Sequence, residues 1–486
     1  MKSYKLYING KWVSSSSKKT FTSLNPSTQK PIAKFQQGNE KDVDRAYFAA
    51  KSAFESWSST PAPKRGEFLL ETARILRKRK QELGKCIALE MGKVMPESLG
   101  DVQEAIDIFE YMAGEGRRLF GITTPSELRN KFCLTTRMPL GVVALITPWN
   151  FPIAIPAWKL APALICGNTI IFKPSSDTPL CATKLIEILE EAKIPSGIVN
   201  LITGSGNIVG NRLITHPKIR GISFTGSRAT GLHITQNAGL KKIGLELGGK
   251  NAIIVMNDAD LDLAIEGILW GAFGTTGQRC TAASRVIVHK KIRRKLESKL
   301  IKRTKKLKLG NPLNKNTDIG PLINQKAIEK THRYTKIGIN EGAKLLCGGK
   351  IANGKGFFYH PTIFTNVNPK MKIAQEEIFG PLLSIITVKD INEAINVCNS
   401  ISYGLSSSIY TNNIKNAFKA IEKIEAGIVY INSSTIGSEV HLPFGGVKDT
   451  GNGTREGSLG VEEFSEIKTV YIDYSGKLQK AQIDIS

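Results

Sequence analysis

LGVVALITPWNFPIAIPAWKLAPALICGNTIIF, residues 140–172, decides how the rest of the chain is read. Its apolar content suits a membrane span, yet it holds Pro148, Asn150, Pro152, Pro156, Lys159, Pro162 and Asn168. Freed backbone groups and a cation find no partner in hydrocarbon, so a spanning helix tolerates only one or two such residues. The stretch therefore predicts buried strand, loop and helix. Outward from it the same grammar continues: VVALITP, TIIFKP, IVNLITG, GISFTG and IGLEL read as strands. Between them, TPLCATKLIEILEEAK and RATGLHITQNA read as helices. That alternation predicts a parallel sheet covered on both faces, an α/β fold. A second α/β series starts near 251 with NAIIVM, ADLDLAIEGILWGAFG and SRVIVHK and runs to about 447. Residues 65–120 read as helices, and EIKTVYIDYSG after 465 reads as a strand with no partner visible in the sequence.

At 486 residues the chain exceeds what one core supports, so two or three structural units are expected. With 41% apolar and 22% charged residues it is not a disordered chain, and 45 glycines without a triplet period exclude collagen. Seven cysteines are scattered without a C-x-x-C pair, which speaks against a disulfide framework or zinc site and fits a reducing cytoplasm. The six histidines show no metal-ligand spacing, so no metal is expected. The N-terminus shows no secretory leader pattern.

Lysine and arginine outnumber aspartate and glutamate 67 to 42, a net charge of +25. The sharpest basic run, residues 290–310, has leucines at helical spacing and cations elsewhere. It could be a nucleic-acid or anionic-membrane surface, or the solvated face of one amphipathic helix. No zinc finger, helix-turn-helix or RNP-type strand accompanies it, so the solvated face is favoured, with no specific nucleic-acid or membrane partner. The excess charge would still help attract anionic cofactors and substrates.

Two glycine clusters follow strands. Gly204-Ser-Gly206-Asn-Ile-Val-Gly210 misses G-x-G-x-x-G by one residue, and Gly226-Ser227-Arg-Ala-Thr-Gly231 opens a helix. Permissive turns and free N–H groups at a helix start suit a phosphate, though glycines in such turns are more often structural. A stronger signal is the set formed by Cys280 in TTGQRCTA, Glu246 in LELGGK, Asn150 in TPWNFP and Lys173 in FKPSSDTP.

Here the sequence resembles the NAD(P)-dependent aldehyde dehydrogenase superfamily over essentially the whole chain. ITPWNFP, FKPSSDTP, SFTGS, LELGGKN, GQRC, EEIFGP and PFGGVK occur in register. The resemblance implies a Rossmann-type cofactor domain at 1–117 with 138–248 and a catalytic α/β domain at 249–447. It also implies a β oligomerisation arm at 118–137 with 466–486, in a homodimer or homotetramer. It assigns the nucleophile to Cys280, the general base to Glu246 and an oxyanion-hole amide to Asn150. It gives Lys173 to the adenosine ribose, Ser227 and its neighbours to pyrophosphate, and Glu377 to the nicotinamide ribose, with Phe379 packing beside the nicotinamide. Thr147, Trp149, Ser176, Gly206, Gly226 and Gly231 complete the expected cofactor contacts.

The chemistry asks for these types independently. Oxidising an aldehyde to an acid requires a tetrahedral carbon bearing an oxyanion. A thiolate creates it as a thiohemiacetal, positioned N–H donors stabilise it, its collapse expels hydride to the nicotinamide and leaves a thioester, and a carboxylate then activates water to release the acid. Among subfamilies, GQRCTA, KPSSDTPL and YIDYSGKLQKAQID look closest to 2-oxoglutarate semialdehyde dehydrogenases, with α-aminoadipate semialdehyde dehydrogenases as another similar group. Succinate semialdehyde enzymes often carry arginines where this chain has Gly274 and Trp158, which counts against their standard pocket, though another arginine could substitute. The expected substrate is a carboxylate-bearing semialdehyde, 2-oxoglutarate semialdehyde or succinate semialdehyde. Arg279 is the candidate contact for a distal carboxylate, or else the partner of a structural carboxylate. Ser176 stands where the family commonly places an acidic residue against the adenosine ribose, so use of NADP alongside NAD is expected. Asp177, one residue on, complicates that expectation. A CoA-acylating enzyme is the alternative, though Glu246 argues against it. An inactive structural or nucleic-acid-binding relative is the other, and the intact Cys280, Asn150 and Glu246 argue against that.

Overall fold

The computed structural model describes residues 1–483; the last three residues of the expected arm, 484–486, lie outside the described residues. The run that opens the sequence argument forms strand β1 (Val142–Ile146), helix α2 (Ala154–Ile165) and strand β2 (Thr169–Lys173). Both strands are buried throughout, which is why they read as continuous β-branched runs without alternation. Strands β3 (Val199–Leu201), β4 (Gly221–Thr225) and β5 (Lys242–Glu246) complete a parallel group in the order β5-β4-β1-β2-β3. That is the Rossmann order over five strands, and its direction reverses between β1 and β4, where such sheets open a crevice at their carboxyl ends. Two antiparallel strands, Leu6–Ile8 and Lys11–Val13, extend the β3 edge.

The helical stretch upstream divides into three. Helix α1 (Met95–Glu115) follows helices Ala62–Lys78 and Lys80–Glu90, and it packs on both of these and on α2. The second α/β series builds another sheet from β6 (Asn251–Val255), β7 (Ala283–His289), β8 (Lys344–Cys347), β9 (Thr362–Thr365), β10 (Leu382–Val388), β11 (Ser406–Tyr410) and β12 (Ile428–Ile431). Its order is β8-β9-β10-β7-β6-β11-β12, parallel except for the edge strand β8. Three further helices bear on the site: α3 (Arg228–Asn237), α4 (Leu261–Phe273) and α5 (Gln325–Asn340). Each begins at a polar cap, Ser227, Asp260 and Asn324, whose side chain accepts from the first-turn backbone N–H groups.

The strand left without a partner in the sequence, Ser465–Asp473, pairs antiparallel along its whole length with Lys131–Pro139, which also pairs with Thr123–Pro125. The basic helix Arg293–Thr304 buries Leu296 and Leu300, while Lys299 and Arg303 pair with Asp262 and Glu266 on α4. No helix among the described residues is long and apolar enough to cross a membrane.

Candidate active site

Cys280 follows α4 on a loop that doubles back through left-handed backbone at Thr275 (φ 50°), Thr276 (φ 59°) and Gly277 (φ 70°). Two consecutive non-glycine residues there store strain, on the order of 1–3 kcal/mol each, so the surroundings must hold them. The Glu97 carboxylate accepts from the Thr275 N–H and hydroxyl at 2.9 Å each, and Thr276 Oγ1 donates to Gly320 O at 3.0 Å. Gln278 Oε1 accepts from Ile323 N at 2.9 Å. The loop delivers Cys280, partly accessible, to a cavity of about 230 Å³ whose wall also carries Glu246, Phe151, Trp158, Phe444 and Glu456. Burial, with Glu246 and Glu377 nearby, pushes its thiol up to about 12.

Glu246 ends β5 and is buried, with neither carboxylate oxygen hydrogen-bonded among the described residues. Burial, reinforced by Glu456 and Glu463, raises its pKa well above the carboxylate range, while the Lys159 ammonium opposes them. Lys159 on α2 is itself fully enclosed, donating to Glu456 Oε1 at 2.6 Å and to Ser223 Oγ at 2.8 Å. Asn150, just beyond β1, is buried and donates from Nδ2 to Gln278 O at 3.1 Å, which leaves its second N–H for a ligand. The Gly248-Gly249 turn after β5 brings the parts together. A Cβ on Gly248 would meet Glu377 Oε2 at 2.4 Å, and one on Gly249 would meet Cys280 O at 2.5 Å. Only glycine allows both approaches.

On the other side of Cys280 a cavity of about 270 Å³ is lined by Trp149, Asn150, Gly226, Ser227, Glu377 and Phe379. Gly249 N donates to Glu377 Oε1 at 2.9 Å, and the Phe379 ring meets Trp149 edge-on at 5.5 Å. Beyond it, about 580 Å³ opens at the carboxyl ends of β1, β2 and β4, where the strand order reverses. Thr147, Lys173, Ser176, Gly206 and Gly226 line it. Nothing lies within 4 Å of where a Gly206 Cβ would stand, and the buried Thr147 Oγ1 has no partner, so room and a free polar group coincide. Burial lowers the Lys173 ammonium to about 8 despite Asp177. Asp177 does not swing free: Oδ1 accepts from Asn324 Nδ2 at 3.1 Å. Ser176 donates to Gly204 O at 3.0 Å. Together with the α3 N-terminus at Ser227, these groups fit a dinucleotide. Gly231 does not line either cavity; it is buried in α3, where a Cβ would meet Leu247 at 2.7 Å.

The aldehyde dehydrogenase family model matches residues 12–470. The chain belongs to that family. It is 43% identical over 477 residues to an alpha-ketoglutaric semialdehyde dehydrogenase of Bacillus subtilis, covering 96% of this chain and 98% of that one. It is 41% identical to a 2,5-dioxopentanoate dehydrogenase of Saccharolobus solfataricus, covering 97% and 99%. Betaine aldehyde dehydrogenase from Staphylococcus aureus, solved in complex with NAD+, superposes with a TM-score of 0.96 at 36% identity, covering 98% and 96%. The protein is an NAD(P)-dependent aldehyde dehydrogenase, acting on a small-molecule aldehyde.

In this aldehyde dehydrogenase Arg279 meets both sequence readings at once. Its Nη2 stands 3.8 Å from Glu97, and Nε donates to Thr275 Oγ1 at 2.8 Å. Yet the guanidinium also lines the catalytic cavity, over the Trp270 ring at 4.7 Å and the Phe151 ring at 5.3 Å. The sequence reading missed Glu456, Phe444 and Glu104 at the catalytic cavity, Lys159 bonded to Glu456, and Lys330 beside Glu377. Lys159 carried a signal, a cation inside an apolar run, and Phe444 lay within the PFGGVK motif; the others carried none. The structure also brings Cys86 and Cys181, two of the scattered cysteines, to 3.7 Å between sulfurs, beside Glu90, which caps helix Pro179–Glu191.

Proposed function

We propose that this aldehyde dehydrogenase oxidises a carboxylate-bearing semialdehyde, 2-oxoglutarate semialdehyde foremost, to the acid. The observation that carries the reading is Arg279: a stacked guanidinium, held at Nε, faces the cavity that contains Cys280 and Glu246. Trp158 in that cavity and Gly274 in the adjoining one stand where a succinate semialdehyde pocket commonly has arginines, which supports the longer substrate.

Glu246 takes the Cys280 proton and the thiolate adds to the carbonyl carbon, giving a thiohemiacetal whose oxygen is met by the free Asn150 N–H. A bound nicotinamide would supply the hydride acceptor that turns this adduct into a thioester on Cys280. Once that first proton has passed to solvent, the ionised Glu246 carboxylate, with no hydrogen bond among the described residues, takes a proton from water as the water opens the thioester on Cys280. Lys173, Ser176, Thr147, Gly206, Gly226 and Ser227 hold the adenosine and phosphates, and Glu377 the nicotinamide ribose, with Trp149 and Phe379 at the ring. Because Ser176 carries no charge and Asp177 is tied to Asn324, NADP serves at least comparably to NAD. The cofactor domain (1–117, 138–248), catalytic domain (249–447) and arm (118–137, 466–486) complete the reading, with a homo-oligomer in the cytoplasm.

The test compares glutarate semialdehyde with pentanal, equal in length and differing in the carboxylate. Arg279→Ala should raise KM for the semialdehyde at least tenfold more than for pentanal, about 1.5–3 kcal/mol for a hydrogen bond to a charged group. Equal losses would leave Arg279 a structural role only.

A further inference from the structure

Arg279 shares its wall with a second ionisable group. Glu104 projects from α1 and lines both the catalytic cavity and the adjoining cavity of about 590 Å³. The other carboxylates on this stretch of α1 are engaged. Glu97 accepts from Thr275, Asp107 from Gln103 at 2.6 Å, and Asp101 from Lys93 Nζ at 2.8 Å and Ala154 N at 2.7 Å. The Lys93 ammonium also lies 3.4 Å from the Phe151 ring centre, so lysine, aspartate and ring form a fixed floor. Glu104 alone of these carboxyls has no side-chain hydrogen bond and no ion pair among the described residues, while Arg279 beside it keeps N–H groups open to the cavity.

We propose that Glu104 is a specificity-determining residue that hydrogen-bonds the oxygen on carbon 2 of a 2-oxo semialdehyde whose carboxylate sits on Arg279. The inference rests on the reading of Arg279 above, since that contact places carbon 2 at this wall. A keto oxygen only accepts, so Glu104 must donate, and it donates only as the neutral acid. The surroundings favour that form: burial and the Asp101 and Asp107 carboxylates push Glu104 up to about 7, against the pull of Lys93 and Arg279. Glu246 and Glu456 face it across the catalytic cavity; Glu266, Arg303, Lys315 and Asp318 stand around the outer one. Above neutral pH the ionised form loses its donor and repels the substrate carboxylate. The preference for a 2-oxo group is therefore present below about 7 and lost above it.

The experiment measures kcat/KM for 2-oxoglutarate semialdehyde, glutarate semialdehyde and pentanal between about pH 6 and about pH 9. The ratio of the first to the second cancels the titrations of Cys280 and Glu246. In the wild-type enzyme it should fall roughly tenfold across the range, the scale of one hydrogen bond. Glu104→Gln keeps a donor and should retain the preference with no pH dependence; Glu104→Ala should bring the ratio near unity throughout. A wild-type ratio flat with pH, or one indifferent to Glu104→Ala, overturns the role. If glutarate semialdehyde still outruns pentanal, the Arg279 reading survives that failure. If it does not, both fall.

Discussion

At pH 7 the Cys280 sulfur is overwhelmingly protonated, because burial and two carboxylates push it up to about 12. The thiolate is the reactive form, so alkylation of the ligand-free enzyme by iodoacetamide should accelerate roughly tenfold per pH unit between about pH 7 and about pH 9, without a plateau. A plateau in that range would show a thiol already activated. Glu246 also sits well above its ordinary range, so its base form grows as pH rises, and acid release should quicken with pH. Glu246→Gln should give a rapid burst of reduced cofactor and then stall at the thioester, seen by rapid mixing. Steady turnover at the wild-type rate would remove Glu246 as base, and rescue of the stalled variant by CoA would favour an acylating enzyme. At the adenosine end, Ser176→Glu should move the kcat/KM ratio toward NAD by about 1–3 kcal/mol, as a carboxylate binds the ribose hydroxyl and repels a phosphate there. A ratio that does not move would show that this position does not read the ribose.

Among the elements, the loop from Thr275 to Cys280 carries the most constraint, and it separates strain from bonding. Thr276→Gly relieves a left-handed φ but loses the bond to Gly320 O, two effects of about 1 kcal/mol that offset, so Tm should stay close to wild type. Thr276→Val keeps the strain and loses the bond, and its Tm should fall by about 1 °C, the shift that about 1 kcal/mol gives in a chain of this length. Equal Tm values would mean the strain is not borne at Thr276. This loop marks where the sequence was legible and where it was not. GQRC located the nucleophile because a local motif travels with its chemistry, and the buried strands of the first sheet were plain because burial on both faces leaves unbroken β-branched runs. Glu97, which holds the loop 178 residues away from Thr275, carried no such mark. Nor did Glu104, one carboxylate among several on a helix whose neighbours are otherwise employed. Gly231 looked like a phosphate glycine because a packing glycine and a ligand glycine are the same letter.

At the scale of the molecule, the sheet formed by Thr123–Pro125, Lys131–Pro139 and Ser465–Asp473 turns Ile122, Phe132, Ile467 and Tyr471 to solvent. Such a surface suits burial between subunits. In the proposed homo-oligomer, Ile467→Lys with Tyr471→Lys should lower the mass seen by light scattering, and an unchanged mass would show that this sheet does not hold subunits together. The strand was legible but its partner was not, because a pairing across some 330 residues leaves no local trace. The same long reach has a consequence for how the protein is made. Lys159 is enclosed in α2, yet the carboxylate that neutralises it, Glu456, comes 297 residues later, and Leu247 N donates to Thr450 O only when the chain has come back. A ribosome therefore finishes the first sheet long before that sheet can close around its buried cation. The native neutralisation of Lys159 is therefore available only after translation has passed Glu456.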